Sequence, residues 1–211
     1  MHKRAEEANS GAIQTEYAGH LFRSRLEARW AVFFDHAGIK WQYELQGYEC
    51  KGHRYLPDFY LPDSNDFVEV KGDPEGLQKD YERMSVILGE SSPLPGFTKQ
   101  ESSLILLGDI PFVSAGTAHH KCLKYNEGSL KSFLVTFLPF GEKNSVVPFI
   151  DGGFILPKLF GLNVSTNLNK DSKGWIVESV VMPTPVTFPK LNDAYSAARK
   201  ARFEHGECGG R

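Results

Sequence analysis

The segment Leu56–Gly72, LPDFYLPDSNDFVEVKG, constrains this chain more than any other part of its sequence. It predicts two short strands that a turn can fold side by side, with Asp58 on the first strand and Glu69 on the second. Because strand side chains alternate between the faces of a sheet, Glu69 and Lys71 point one way and Val70 the other. A charged pair on a mostly apolar strand costs desolvation free energy unless something binds there. The segment therefore predicts a functional site, at which Asp58 and Glu69 can share a divalent metal.

The order of these charged residues resembles the signature of the PD-(D/E)XK nuclease superfamily, with Asp58, Glu69 and Lys71 at its three positions. The resemblance implies an α/β fold with the restriction-endonuclease-like α-β-β-β-α-β core, in which helices flank a mixed sheet. It also implies a phage-type or bacterial endonuclease that cuts DNA with magnesium. Many members carry a further acidic residue on the first core helix, for which Glu27 is the candidate. The likeness covers roughly Tyr17–Gly108, about half of the chain.

Arg23–Ala37 is the predicted first core helix. Its apolar residues recur at helical spacing, and Gly38 follows as a C-terminal stop. Glu27 lies at the edge of the apolar stripe, where a carboxylate is stable only with a cation nearby. Metal ligation is the favoured role, and a surface ion pair with Arg23 is the alternative. Arg23 lies one turn earlier and is also placed to meet a phosphate.

The remaining predicted core elements follow in the order of the superfamily, which favours that core. They are the strands Ile39–Gln46, Tyr48–Leu61 (with a turn available at Lys51-Gly52) and Phe67–Lys71, a helix that starts at Asp73 and ends at Gly89, and the strand Ser103–Leu107. Within the second strand, Pro57 suits a strand end or an irregularity that turns Asp58 toward the metal. The alternative for Asp58 is a turn aspartate in a loop.

We divide the chain into four predicted segments. They are an N-terminal tail (1–16), the nuclease core (17–111), a β-rich C-terminal extension or lobe (112–190) and a basic C-terminal helix and tail (191–211). Phe133–Phe137, Phe149–Ile155 and Trp175–Val181 are predicted strands of the extension, and Asn163–Lys173 is a predicted polar loop. The pair His119-His120 is interpreted as loop histidines rather than a metal site.

Composition indicates a globular chain without a membrane partner. No apolar run approaches the ~20 residues of a membrane span, and the first ten residues lack the apolar core of a signal peptide. We expect a soluble, cytoplasmic protein, in a bacterium or a phage-infected host cell. The three cysteines are widely separated and form no CxxC motif, which favours reduced thiols.

A formal net charge of −2 is unusual for a DNA-binding protein, because phosphate contacts with Lys and Arg dominate DNA affinity. A local basic patch must therefore supply them. The candidates are Arg23 and the predicted basic helix around Ala194–Phe203, with Arg199, Lys200 and Arg202. A solvated helix face is the alternative for the second group.

The implied mechanism uses Mg²⁺, with Mn²⁺ as a substitute. Oxygen ligands suit this ion, and the implied set is Asp58, Glu69, the Val70 carbonyl and Glu27. Lys71 would orient or deprotonate the attacking water, or pair with the scissile phosphate. One competing hypothesis is a DNA-binding or assembly module that keeps the nuclease fold without cutting, and another is a structural protein whose acids form surface ion pairs. The sequence leaves open a homodimer, the number of metal ions and the DNA structure that is bound.

Overall fold

The computed structural model describes residues 13–72, 84–113, 118–126, 128–140, 145–151, 165–171, 174–181 and 188–203. The helices are α1 (Arg25–Ala37) and α2 (Pro189–Lys200). The strands are β1 (Thr15–Tyr17), β2 (His20–Phe22), β3 (Gln42–Tyr43), β4 (Tyr48–Cys50), β5 (His53–Tyr55), β6 (Phe59–Leu61), β7 (Asp66–Val70), β8 (Leu104–Leu107), β9 (His119–Asn126), β10 (Ser129–Phe140), β11 (Ser145–Asp151), β12 (Ser165–Asp171) and β13 (Gly174–Val181). Helices and a mixed sheet together make this an α/β protein.

Seven strands form the main sheet, in the order β11-β10-β9-β8-β7-β6-β3. β7 and β8 run parallel, with Phe67 opposite Leu104 and Val70 opposite Leu107, and the other pairs in this sheet are antiparallel. Three two-stranded sheets, β1-β2, β4-β5 and β12-β13, complete the described strands. Parallel neighbours need a long crossover connection, and the chain from Lys71 to Ser103 provides it.

The crossover contains the predicted helix Asp73–Gly89. Residues 84–87 are helical, which agrees with the end of that prediction. Residues 73–83 lie outside the described part of the chain.

Local sequence explains where α1 begins and ends. The Ser24 side chain accepts a hydrogen bond from the Glu27 N–H, which caps the N-terminus two residues later than the predicted start at Arg23. Gly38 ends the helix in the left-handed conformation, at φ 75°, and its N–H binds the last carbonyls. The predicted stop at Gly38 is confirmed.

Two apolar cores lie on opposite faces of the main sheet. On one face, aromatic residues of α1 such as Trp30 and Phe33 pack with α2 and with Val68 and Val70. On the other face, Phe67 packs with the β4-β5 hairpin and the segment around residues 84–97. The predicted alternation along this strand is confirmed, since Phe67 and the two valines belong to different cores.

The two helices run antiparallel against each other. Near the start of α1, the Arg29 Nε donates to the Ala201 carbonyl just beyond the end of α2, at 3.3 Å. At the other end, the Lys190 amine in the first turn of α2 lies against Gly38. The basic last turn of α2 therefore reaches the end of the helix pair at which α1 begins.

Several predicted strands are shorter or broken. Ile39–Gln46 yields only β3, because Glu44 adopts a left-handed conformation at φ 44°. Tyr48–Leu61 yields β4, β5 and β6, because the turn available at Lys51-Gly52 forms and residues 56–58 leave the strand conformation, as the irregularity predicted at Pro57 allows.

The C-terminal half agrees with its prediction in one respect and differs from it in three. Of the two predicted alternatives, an extension and a lobe, the extension is confirmed for β9, β10 and β11, which continue the main sheet of the predicted core. The histidine pair predicted in a loop lies on β9, and the predicted polar loop Asn163–Lys173 contains β12, whose backbone pairs with β13. The predicted basic helix begins earlier, at Pro189, since proline suits the first helical position.

The first predicted segment boundary is also displaced. Thr15 and Glu16, placed in the N-terminal tail by the sequence analysis, pair with β2 as part of β1. Cys50 and Cys122 are buried free thiols, and Cys208 lies outside the described residues.

Candidate active site

Asp58 stands immediately before β6, in the irregular stretch that contains Pro57. The antiparallel pairing of Phe59 with Val68 places Asp58 across from the end of β7. Its Oδ2 accepts a hydrogen bond from the Val70 N–H at 2.7 Å, and the residue is only 3% exposed. The break in the strand thus positions a buried carboxylate at the edge of the sheet.

Glu69 is held from two sides. Its Oε2 accepts a hydrogen bond from the Tyr55 hydroxyl at 2.9 Å, and its Oε1 lies 3.0 Å from the Lys71 Nζ. The Lys71 N–H donates to the Leu107 carbonyl at 2.8 Å, which anchors the Lys71 backbone to the end of β8. The carboxylate and the amine that were predicted to act together lie side by side.

Glu27 reaches the site from the first turn of α1, and it is buried. Its Oε1 accepts from the Ser24 hydroxyl at 2.7 Å, and its Oε2 accepts from the Tyr43 hydroxyl at 2.6 Å and from the Arg23 N–H at 3.2 Å. With the Glu27 N–H bound to Ser24, the two residues form a reciprocal N-terminal cap. This capping role was not among the two roles considered from the sequence.

The Arg23 guanidinium lies between two carboxylates. Its Nη2 is 2.5 Å from Asp58 Oδ1, and its Nε is 2.7 Å from Glu44 Oε1. Burial opposes the charge, but Asp58 and other nearby acids raise the pKa of Arg23 above its ordinary value. The alternative predicted from the sequence was an ion pair between the side chains of Arg23 and Glu27. The Arg23 side chain instead forms ion pairs with Asp58 and Glu44.

The site holds more acidic than basic side chains. Two cationic side chains, Arg23 and Lys71, accompany four carboxylates, those of Glu27, Glu44, Asp58 and Glu69. Burial, followed by repulsion from Glu69 and Glu27, raises the pKa of Asp58 well above its ordinary value, although the Val70 N–H and Arg23 oppose the rise. Glu69 and Glu27 thus both repel the Asp58 carboxylate, and an added cation would relieve that repulsion.

The donor chemistry of this cluster fits Mg²⁺, which prefers oxygen ligands. Within the described residues, no group of three or more His, Cys, Asp or Glu side chains has the arrangement of a metal site. The oxygens of Asp58 and Glu69 are instead directed at N–H, O–H and cationic groups of the protein. Each carboxylate oxygen has a second lone pair, so a metal ion could bind as Arg23 or Lys71 moves aside. Val70, predicted to offer its carbonyl, uses its N–H to hold Asp58.

The predicted basic residues of the second group lie at the end of α2. Lys200 and Arg202 are exposed, whereas Arg199 is half-buried, with its guanidinium carbon 4.4 Å from the centre of the Phe112 ring. None of the three enters an ion pair with another described residue. They lie at the same end of the helix pair as the start of α1, but they do not join the carboxylate cluster.

Four residues of the site were missed by the sequence analysis: Ser24, Tyr43, Glu44 and Tyr55. The Ser24-x-x-Glu27 spacing is a readable capping signal before an apolar helical stripe. Tyr43, Glu44 and Tyr55 carry no local signal, because their contacts with the site depend on how separate strands meet.

Comparison with known proteins adds no family assignment: no family model, no curated protein and no solved structure matches this chain. Among the described residues, no helix has both the length and the apolar character needed to cross a membrane.

Proposed function

We propose that this protein is a Mg²⁺-dependent endonuclease that hydrolyses DNA phosphodiester bonds, with Mn²⁺ able to substitute. This proposal is carried by the buried Asp58 carboxylate, which Glu69 and Glu27 both repel, together with the contact between Glu69 and the Lys71 amine. The cluster lies at the carboxyl ends of the parallel strands β7 and β8, the edge at which open α/β sheets bind ligands. In this proposal the main sheet and α1 form a restriction-endonuclease-like core, and the protein acts on DNA in the cytoplasm of a bacterium or a phage-infected cell.

Asp58 and Glu69 are the proposed metal ligands, and Glu27 is a further acidic residue that can complete the set. When bound, Mg²⁺ would lower the pKa of a water and stabilise charge that develops on the phosphate oxygens. The Val70 N–H keeps the Asp58 carboxylate in place, and the Tyr55 hydroxyl does the same for Glu69. Such hydrogen bonds from surrounding groups orient metal-binding carboxylates.

In this proposal, Lys71 contacts the reacting phosphate or the attacking water. Its amine is 3.0 Å from Glu69, and about one third of its side chain is exposed, so that it faces both the cluster and solvent. From there it can donate to a phosphate oxygen or hold the attacking water. Arg23, half exposed and paired with Asp58, can exchange that partner for a DNA phosphate once a metal ion neutralises the carboxylate.

A second function is favoured by one observation. Every carboxylate oxygen of Asp58 and Glu69 already has a protein partner. A module that binds DNA or assembles with other proteins, without cutting, could keep the same cluster as a purely structural network of ion pairs. Its carboxylates would then need no metal.

Incubation of labelled DNA with the protein separates these functions. The substrates would be linear duplex, nicked, branched and single-stranded DNA, each with Mg²⁺, Mn²⁺, Ca²⁺ or EDTA. The nuclease proposal predicts cleavage with Mg²⁺ and Mn²⁺ and none with EDTA. DNA binding without cleavage in every metal would favour the module instead.

A further inference from the structure

Phe112 is held in an unusual exposed position. It is 76% exposed, the highest value among the large hydrophobic residues described. The residues on either side behave differently, since Ile110 and Val113 pack against the core that contains α1 and α2. The Phe112 side chain therefore points toward solvent, while its neighbours Ile110 and Val113 hold the segment against the core.

Arg199 lies over one face of this ring, 4.4 Å from its centre. Since Phe112 is mostly exposed, the described residues leave its other face open to a ligand. Arginine can stack on an aromatic ring and still donate hydrogen bonds to a phosphate. Lys200 and Arg202 are exposed close by in sequence, and none of the three basic residues is neutralised by a described acidic residue.

The pair of Phe112 and Arg199 lies at the same edge of the sheet as the carboxylate cluster. Phe112 follows the end of β8, where the Leu107 carbonyl binds the Lys71 N–H. The Trp30 side chain of α1 then holds the Gly108 carbonyl at 2.8 Å. The antiparallel packing of α1 and α2 brings Arg199 to this edge from the other side.

We propose that Phe112, backed by Arg199, is a stacking platform for an unpaired nucleobase, so that the preferred substrate is DNA with a single-stranded segment. Paired bases inside a duplex already stack on their neighbours, and only an unpaired base offers its face to a protein ring. An aromatic ring with basic side chains around it is the combination that single-strand binding sites use. The choice of DNA as the polymer rests on the proposed function, whereas the stacking contact rests on Phe112 and Arg199 alone.

The test measures equilibrium binding of a short oligothymidylate by fluorescence anisotropy, in EDTA and again in Ca²⁺. Phe112→Ala and Phe112→Leu should weaken binding between about 5-fold and about 100-fold, and Phe112→Tyr, which keeps the ring, should bind as the wild type does. An abasic strand of the same length keeps the phosphates and loses the bases. The wild type should bind that strand more weakly, and Phe112→Ala should bind the two strands alike. Thermal unfolding of each variant checks that the fold is unchanged.

Two results would overturn the stacking platform: equal wild-type affinity for the abasic and the base-containing strands, or wild-type affinity in both Phe112→Ala and Phe112→Leu. If the protein never cleaves DNA but the Phe112 variants bind oligothymidylate more weakly, the nuclease proposal is wrong and the stacking platform is supported. If the protein cleaves DNA but the Phe112 variants bind oligothymidylate as the wild type does, the stacking platform is wrong and the nuclease proposal is supported.

Discussion

Asp58 is the residue at which the opposing forces of the site meet. Burial and two glutamates disfavour its charge, while the Val70 N–H and Arg23 favour it. An added positive charge next to Asp58 would reduce this repulsion and favour the charged form of the carboxylate. In the absence of a metal ion, the Arg23 guanidinium is the cation in contact with Asp58.

His120 shows the opposite behaviour, since its neutral form is the one that the fold stabilises. It is buried against Trp30 and Phe137, and its Nε2 lies 3.0 Å from the Tyr195 hydroxyl. Burial, with a smaller effect of His119, lowers the pKa of His120 to about 4. These contacts indicate a core residue, and they give no support to a catalytic role for the histidine pair.

The first prediction concerns stability in acid. The pKa of His120 is lower in the folded state than the ~6.5 of an unfolded histidine, so the unfolded chain binds the proton first. The stability due to neutral His120 is complete above pH ~6.5 and is lost as the pH falls toward 4, by an amount on the order of 3 kcal/mol. His120→Gln, which does not titrate, should lose less unfolding free energy than the wild type in denaturant titrations over this range.

His119→Gln is the matched control, because His119 is exposed on the same strand. That variant should keep the acid sensitivity of the wild type. If His120→Gln and the wild type lose stability in parallel, His120 is not the group responsible.

At the scale of elements, the first turn of α1 has two roles. It carries the N-terminal cap of the helix, and it contributes the Glu27 carboxylate to the candidate site. Glu27 binds Ser24 as a cap, and it also repels Asp58. Glutamine at this position can keep a contact with Ser24, but it brings no charge and accepts fewer hydrogen bonds than the carboxylate. The two roles of Glu27 can be separated by comparison with a substitution at Ser24.

The second prediction uses that difference. Glu27→Gln should lower the unfolding free energy by about 1 kcal/mol, because the amide nitrogen cannot accept a hydrogen bond as the carboxylate oxygen does, and it should strongly reduce Mg²⁺-dependent cleavage. Ser24→Ala should lower the unfolding free energy by about 1 kcal/mol, because it removes the cap, and leave more of the activity. Chemical denaturation and single-turnover rates would be measured for both variants. Full activity in Glu27→Gln would remove Glu27 from the metal site and leave it a cap.

The elements that sequence reasoning predicted best are those with a strong local signal. α1 has a long apolar stripe and a glycine stop, and β7 alternates clearly between its faces. For the segment Tyr48–Leu61, the local signals indicated a turn at Lys51-Gly52 and an irregularity at Pro57, but they did not show that the segment divides into three separate strands. The partnership of Tyr55 with Glu69 depends on that division, so no local pattern could have revealed it.

At the scale of the whole molecule, connectivity was the least predictable feature. The extension of the main sheet by β9–β11 depends on pairing between distant segments, for which the sequence holds no periodic signal. The antiparallel packing of α1 and α2, with the separation it gives between acidic and basic side chains, could not be read from the sequence either. Together they allow a chain of net charge −2 to present a basic surface near an acidic site.

The third prediction tests that basic surface. Because a cation neutralises the cluster, DNA affinity should rise when Ca²⁺ replaces EDTA, and it should fall with salt. Simultaneous replacement of Arg199, Lys200 and Arg202 with alanine should weaken binding and flatten its dependence on salt concentration, without altering single-turnover cleavage at saturation. Binding isotherms at several salt concentrations measure both effects. An unchanged slope would assign the phosphate contacts to Arg23 or to other parts of the chain.

The most direct measurement of the central claim is single-turnover cleavage of labelled DNA in Mg²⁺, with the wild type compared to Asp58→Ala and Lys71→Ala. Because these side chains hold the proposed metal ion and the reacting phosphate, each variant should lose cleavage while its thermal unfolding stays cooperative. DNA binding in Ca²⁺ serves as a check that Lys71→Ala still recognises its substrate. Cleavage by either variant at the wild-type rate, or wild-type cleavage that persists in EDTA, would contradict the assignment of this cluster as a magnesium-dependent nuclease site.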